Sequence, residues 1–146
     1  GSTVYWKGQH AHATLQCLGS GAQLRLHPAP YSREYNTLWE GSALTVQRTA
    51  EHFNWFVTAL HLMPDACTEP MHAELLQVSK LCAGLTLPDA HAQAVRVTVG
   101  EKMCVVLLCH AEVISEVDLI SAGGYSSYGK VLLFDPAHPR GLCLAW

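Results

Sequence analysis

The stretch RTAEHFNWFVTALHLMP, residues 48–64, reads as a helix with a defined start and stop. Thr49 stands as an N-cap, and Glu51 places a negative charge in the first turn, where the helix dipole favours it. Phe53, Phe56, Val57 and Leu60 recur at helical spacing and make one apolar face. Ala50 shares that face, three residues before Phe53. Pro64 cannot continue the pattern and ends it. The expectation is a helix from Thr49 or Ala50 to about Met63, with Phe53, Val57 and Leu60 buried.

Downstream, a second helix is expected from about Glu69 to Ala83. Thr68 would cap it, Pro70 suits its first turn and Gly84 suits the position just past its end. Met71, Leu75, Val78 and Cys82 would form its buried stripe. Upstream, the chain reads as β. HATLQCLG alternates loosely, Gly19-Ser20-Gly21 offers turn chemistry, and AQLRLH alternates again, which is a hairpin signal. HPAPYSREYN reads as a loop and SALTVQR as a short strand. After the second helix, AVRVTV and MCVVLLCH flank a tight connection at Gly100-Glu101-Lys102. The second of these is almost continuously apolar, as befits a central strand covered on both faces. AEVISEVDL is a further candidate strand, SAGGYSSYG a flexible loop, and KVLLFDP and GLCLAW late strands. The expected fold class is α+β, a mainly antiparallel β-sheet packed against two helices. It is read as a single domain over residues 3–146, with Gly1-Ser2 a cloning remnant.

The composition fits a globular chain: 146 residues, 49% hydrophobic, 14% charged. A net charge of −3 with scattered Lys and Arg gives little support for RNA binding, although it leaves a local basic groove open. No apolar run is long enough to span a bilayer. The six cysteines, Cys17, Cys67, Cys82, Cys104, Cys109 and Cys143, show no disulfide framework spacing and sit in apolar runs. Free thiols and a cytoplasmic setting are expected. Cys104, Cys109 and His110 are close in sequence. Cys104 and Cys109 would nevertheless point to opposite faces of a strand, so neither a metal nor another cofactor is expected.

Thiol hydrolases place a cysteine in the first turn of a helix, where unpaired N–H groups and the dipole stabilise both a thiolate and an oxyanion. A histidine on a neighbouring strand serves as the base. Position 50 is the helix start here, and His12 and His27 lie on the two arms of the expected hairpin. The sulfur is missing. HATLQCLGSGAQLRLHPAP resembles the H-box of the lecithin:retinol acyltransferase-like family, and TAEHFNWFV resembles its NC box, usually Asn-Cys-Glu-His-Phe. Glu51, His52 and Phe53 match, while Thr49 and Ala50 stand where Asn and Cys are expected. Both boxes occur in the picornavirus 2A proteins of the kobuvirus and parechovirus kind. The resemblance implies that His12 is the base, His27 the second polar residue and Ala50 the nucleophile position. It also implies roles in viral RNA replication and in engaging host and viral proteins in the host cytoplasm. With Ala50 the chain should be silent toward esters and thioesters. One alternative is an acyltransferase or amidase whose natural cysteine Ala50 replaces. Another is a protein-interaction domain unrelated to either box.

Overall fold

The computed structural model describes residues 2–19, 21–49, 55–66, 69–110, 114–115 and 117–145; for 138–140, 143 and 145 only the backbone is described. In chain order the strands are β1 (Ser2–Lys7), β2 (Ala11–Leu18), β3 (Gln23–Pro28), β4 (Tyr31–Glu34), β5 (Thr37–Trp39), β6 (Ser42–Gln47), β7 (Val57–Pro64) and β8 (Met71–Leu76). They continue with β9 (Val78–Lys80), β10 (Leu85–Thr86), β11 (Ala92–Val99), β12 (Lys102–Cys109), β13 (Ile120–Ala122), β14 (Tyr125–Ser127), β15 (Val131–Asp135) and β16 (His138–Ala145). Among the described residues the helical content is one 3-10 turn, Leu81–Ala83. The α+β expectation is therefore corrected to an all-β architecture.

Among the described residues, both segments expected as helices are mainly strand. Residues 57–64 pair antiparallel with β2 along their whole length, from Leu18↔Val57 to Ala11↔Pro64. Val57, Ala59, His61 and Met63 point one way and Thr58, Leu60 and Leu62 the other, a period of two. Because both sets are rich in apolar residues, the spacing of Val57 and Leu60 matched a helix as well. Val57 is half-buried, while Leu60 is exposed rather than buried as the helix reading required. Ala50 and residues 51–54, with Phe53 among them, lie outside the described residues. In the second segment Met71, Ala73 and Leu75 share one face of β8, and Cys82 is exposed. Gly84 does terminate a helical turn: at φ 58 its N–H donates to the Leu81 carbonyl, but that turn is three residues long.

The centre is a five-stranded sheet in the order β16-β15-β12-β11-β8, with β12 in the middle. β11 and β12 form the expected hairpin, Val99 opposite Lys102, and Gly100 supplies the positive φ that its tight turn needs. One face of this sheet carries Ala94, Val105, Leu107, Leu132 and Phe134. They pack with Val78, Ile120 and Ala122 of a four-stranded sheet, order β10-β9-β13-β14, to make the main core. The other face carries Ala73, Val95 and Val97, which meet Leu18 and Ala59 of a three-stranded sheet, order β1-β2-β7. The result is three β layers. SAGGYSSYG, expected as a loop, is the β13–β14 hairpin. In AEVISEVDL the described residues are not in a strand.

The hairpin expected between residues 12 and 27 is absent. β2 pairs with β1 and β7, whereas β3 pairs with β6, His27 opposite Ala43. Pro28-Ala29-Pro30 leads into a short β4–β5 hairpin that begins within the expected loop and has Asn36 at φ 61 in its turn.

Candidate functional site

The three-stranded sheet and the central sheet do not stay in contact along their length. At one end Leu18, Ala59 and Ala73 are buried together. There the Gln16 side chain also crosses the gap: its Oε1 accepts from the Ala73 N–H at 2.8 Å. Toward the other end the inward residues of β2 and β7 become Thr14, His12, His61 and Met63, and the layers part. Two grooves open in this splayed region. One of about 450 Å³ is lined by Tyr5, His12, Thr14, Met63, Glu69 and Met71, among others. The other, about 730 Å³, includes His61, Glu69, Val97, Val99, Glu101 and Asp135 in its walls. Glu69, just before β8, borders both.

His12 is held on three sides. Its register partners are Lys7 on β1 and Met63 on β7. Its Nε2 lies 3.2 Å from the Asp65 carboxylate, and its ring stacks on Tyr5 with centroids 5.6 Å apart. Asp65 is brought there by the β7 end, where its N–H donates to the His10 carbonyl. The Nδ1 of His12 is buried and has no partner in the structure. His61 lies diagonally across from His12 on the same sheet face, opposite Thr14, and its Nδ1 is likewise buried and unpartnered.

The other two expected site residues are placed elsewhere or not described. His27 sits exposed on β3, in a different sheet from His12. Its Nε2 lies 2.9 Å from the Thr45 hydroxyl and its Nδ1 lies 3.3 Å from the Pro28 carbonyl. Ala50 falls outside the described residues. The acyl-transfer scheme also asked for a helix running to Met63, and β7 occupies the second half of that span. The thiols of Cys17, Cys104 and Cys109 are not activated either. Burial pushes the Cys17 thiol above its ordinary value. Burial and the nearby Asp135 charge do the same for Cys104. Burial raises Cys109 to about 11, with Lys80 opposing. Cys17, Cys82, Cys104 and Cys109 are free. Among the described residues no three His, Cys, Asp or Glu groups are disposed to hold a metal ion.

His61, Asp65 and Glu69 were not singled out from the sequence. Reading residues 57–64 with period two would have put His61 on the face of Ala59 and Met63, and Asp65 at the strand end.

The outer side of the same sheet is apolar across all three strands. Register sets Val4, Leu15 and Leu60 in one row and Trp6, Ala13 and Leu62 in the next. Val4, Trp6 and Leu15 are half-buried, while Leu60 and Leu62 are 58% and 68% exposed. Phe56, just before β7, is also exposed. Among the described residues β7 is an edge strand, and it carries no Lys, Arg, Asp or Glu. Comparison with protein-family models, curated proteins and solved structures gives no match to this chain.

Proposed function

We propose that the chain is a non-catalytic protein-interaction domain that docks a protein partner on the outer face of β1-β2-β7. This role is common to the viral host-factor reading and to the plain interaction-module reading. The observation that carries it is the exposure of Leu60 and Leu62 beside Val4, Trp6 and Leu15. An antiparallel sheet with one solvated face ordinarily alternates apolar-in and polar-out, and here the outward positions are apolar as well. Contiguous exposed apolar surface marks interaction sites, and an edge strand without charge adds a row of backbone donors and acceptors. The acyltransferase alternative draws no comparable support, since it asked for a helix running to Met63 where β7 occupies the second half of that span, and the described shifted thiols are all raised.

A photo-crosslinking residue at position 62, with Gln47 on β6 as the control position, tests the reading in cells that express the chain. Discrete protein adducts are expected at position 62 and should be lost when Leu60 is also replaced by Thr. Threonine suits a strand but removes apolar surface. Equal labelling at 62 and 47 would defeat the proposal. So would unfolding of a Leu60→Thr, Leu62→Thr variant, because it would mean that these leucines belong to a covered core.

A further inference from the structure

We propose that the open edge of β7 and the uncovered part of the central sheet beside it form one slot for a single β-strand, supplied as an extended segment of a partner protein with uncharged apolar residues at alternate positions. The occupant lies beside β7 and against the central sheet, so the site is distinct from the outer face of β1-β2-β7.

The register of the central sheet makes the floor of the slot. Leu75, Val95, Val106, Leu133 and Leu142 form one row across its five strands, on the side that faces β1-β2-β7. That layer covers the near end of the row, where Leu18 and Ala59 pack with Leu75 and Val95. Farther along the row Val106 and Leu142 are 39% and 40% exposed. A groove of about 320 Å³ marks the limit of the cover, with Phe56, Val57 and Ala59 on one side and Val95, Val106 and Leu108 on the other. Among the described residues no Asp, Glu, Lys or Arg lines it. A charged side chain entering there would lose water and find no counter-ion.

Backbone groups make the wall. In an antiparallel ladder, alternate residues turn their N–H and C=O toward a given neighbour. The Asp65 N–H donates to the His10 carbonyl, which sets the phase of the β2–β7 ladder. Val57, Ala59, His61 and Met63 therefore turn their backbone groups toward β2, and Thr58, Leu60 and Leu62 turn theirs to the open side. The bond from the Gly8 N–H to the Ala11 carbonyl gives the same phase independently, since it assigns Ala11, Ala13, Leu15 and Cys17 to β1 and leaves the alternate residues of β2 for β7. Sheet edges are commonly blunted by charge, a bulge or proline. β7 has no charged residue and pairs with β2 without a register shift, and its one proline, Pro64, stands at the end of the row.

A hydrogen-bonding wall beside an apolar floor selects a strand. Its backbone pairs with Thr58, Leu60 and Leu62, and every second side chain points down onto Val106 and Leu108. A helix satisfies its backbone internally and offers the wall nothing. A second copy of this chain does not fit through its own β7. Antiparallel pairing of two β7 strands puts a two-fold axis through the joined layer, which brings both central sheets to the same side of it. The part of each central sheet that extends past β7 would then occupy the space of the other.

The probe is the capped peptide acetyl-Lys-Val-Thr-Val-Thr-Val-Lys-amide, titrated into isotopically labelled protein and followed by NMR. Paired antiparallel to β7, its valines face the floor, and its threonines face outward with their N–H groups toward β7. Two counterparts carry a single N-methyl group, one on the second threonine nitrogen and one on the central valine nitrogen, which lies on the far edge. In the free protein the Thr58, Leu60 and Leu62 amides are expected to exchange with solvent faster than those of Ala59 and His61. The peptide should slow their exchange and shift the Val106 and Leu108 methyl resonances saturably. N-methylation of the threonine should weaken binding by roughly fivefold or more, and that of the valine by less than about twofold. Val106→Thr, which keeps a β-branched residue, should weaken the parent peptide while amide dispersion reports a folded protein. The N-methyl pair needs no variant, so it decides the matter even if that substitution unfolds the chain. Slow exchange of the Leu60 and Leu62 amides in the free protein would mean that the edge is already covered and would overturn the proposal. So would the absence of saturable binding, equal weakening by the two N-methyl groups, or shifts confined to Val4, Trp6 and Leu15.

Discussion

Asp118 shows how much one side chain can organise in a segment without regular structure. Its Oδ2 accepts from the Ser115 N–H at 2.8 Å, from the Lys80 ammonium at 2.9 Å and from the Ser115 hydroxyl at 3.1 Å. The Ser115 backbone bond first, and then Lys80, hold its carboxyl below the usual carboxylate range. A folded-state value lower than the unfolded one stabilises the fold above the ordinary carboxylate pKa, and this is lost as pH falls through the folded value. Asp118→Asn should therefore lower the urea midpoint at about pH 7 and converge on the parent protein near pH 2. A constant difference across that range would mean that packing, not charge, holds this turn. The Lys80 contact was not legible in SEVDL, because Lys80 lies 38 residues away in sequence. His12 was legible as a polar residue on a strand. Its partners were not, because Asp65 reaches it only through the β2–β7 pairing.

At the scale of elements, strands with one plain hydrophobic signature were readable and those with two were not. β11 and β12 declared themselves through alternation, an apolar run and the glycine turn between them. β7 is apolar on both sides because one side meets the central sheet and the other forms the exposed outer face, and such a strand mimics a helix in sequence. The pairing of β2 was hidden for another reason. Gly19 and Gly21 do adopt positive φ, yet β3 pairs with β6 rather than with β2. Turn residues locate a change of direction without naming the strand that follows as the partner. One contact tests how the two sheets are joined. β8 is the edge of the central sheet, and its Ala73 N–H is satisfied by the Gln16 side chain. Gln16→Ala should leave that donor unpaired at a part-buried site and cost about 1–3 kcal/mol in chemical unfolding. Gln16→Glu, which keeps an acceptor there, should recover part of the loss. An unchanged midpoint for Gln16→Ala would show that Ala73 finds another acceptor and that this bridge is dispensable.

For the whole molecule, the two interfaces between layers are unequal, and stability should follow them. The core between the central and four-stranded sheets contains the fully buried Leu107, Ile120, Leu132 and Phe134, and Phe134 also stacks on Tyr125 at 5.3 Å. The interface with β1-β2-β7 has Leu18, Ala59 and Ala73 as its buried cluster, two of them alanines, with Met63 buried further along the same face. It then gives way to the grooves. At about 25 cal/mol for each Å² of apolar surface buried, the second interface resists separation far less than the first. Opening of the three-stranded sheet should therefore be sub-global, below the free energy that unfolds the centre. Native-state hydrogen exchange is expected to rank the β12 and β15 amides slowest, with β1, β2 and β7 exchanging together through a smaller opening. A cavity mutation in each interface separates the two: Phe134→Ala should cost about 3–5 kcal/mol and lower protection throughout, whereas Leu18→Ala should accelerate exchange in β1, β2 and β7 with little effect on β12. Uniform protection, with both mutations felt equally in every strand, would show that the three layers unfold as one cooperative unit. The grooves would then be fixed clefts, not the open end of a separable layer.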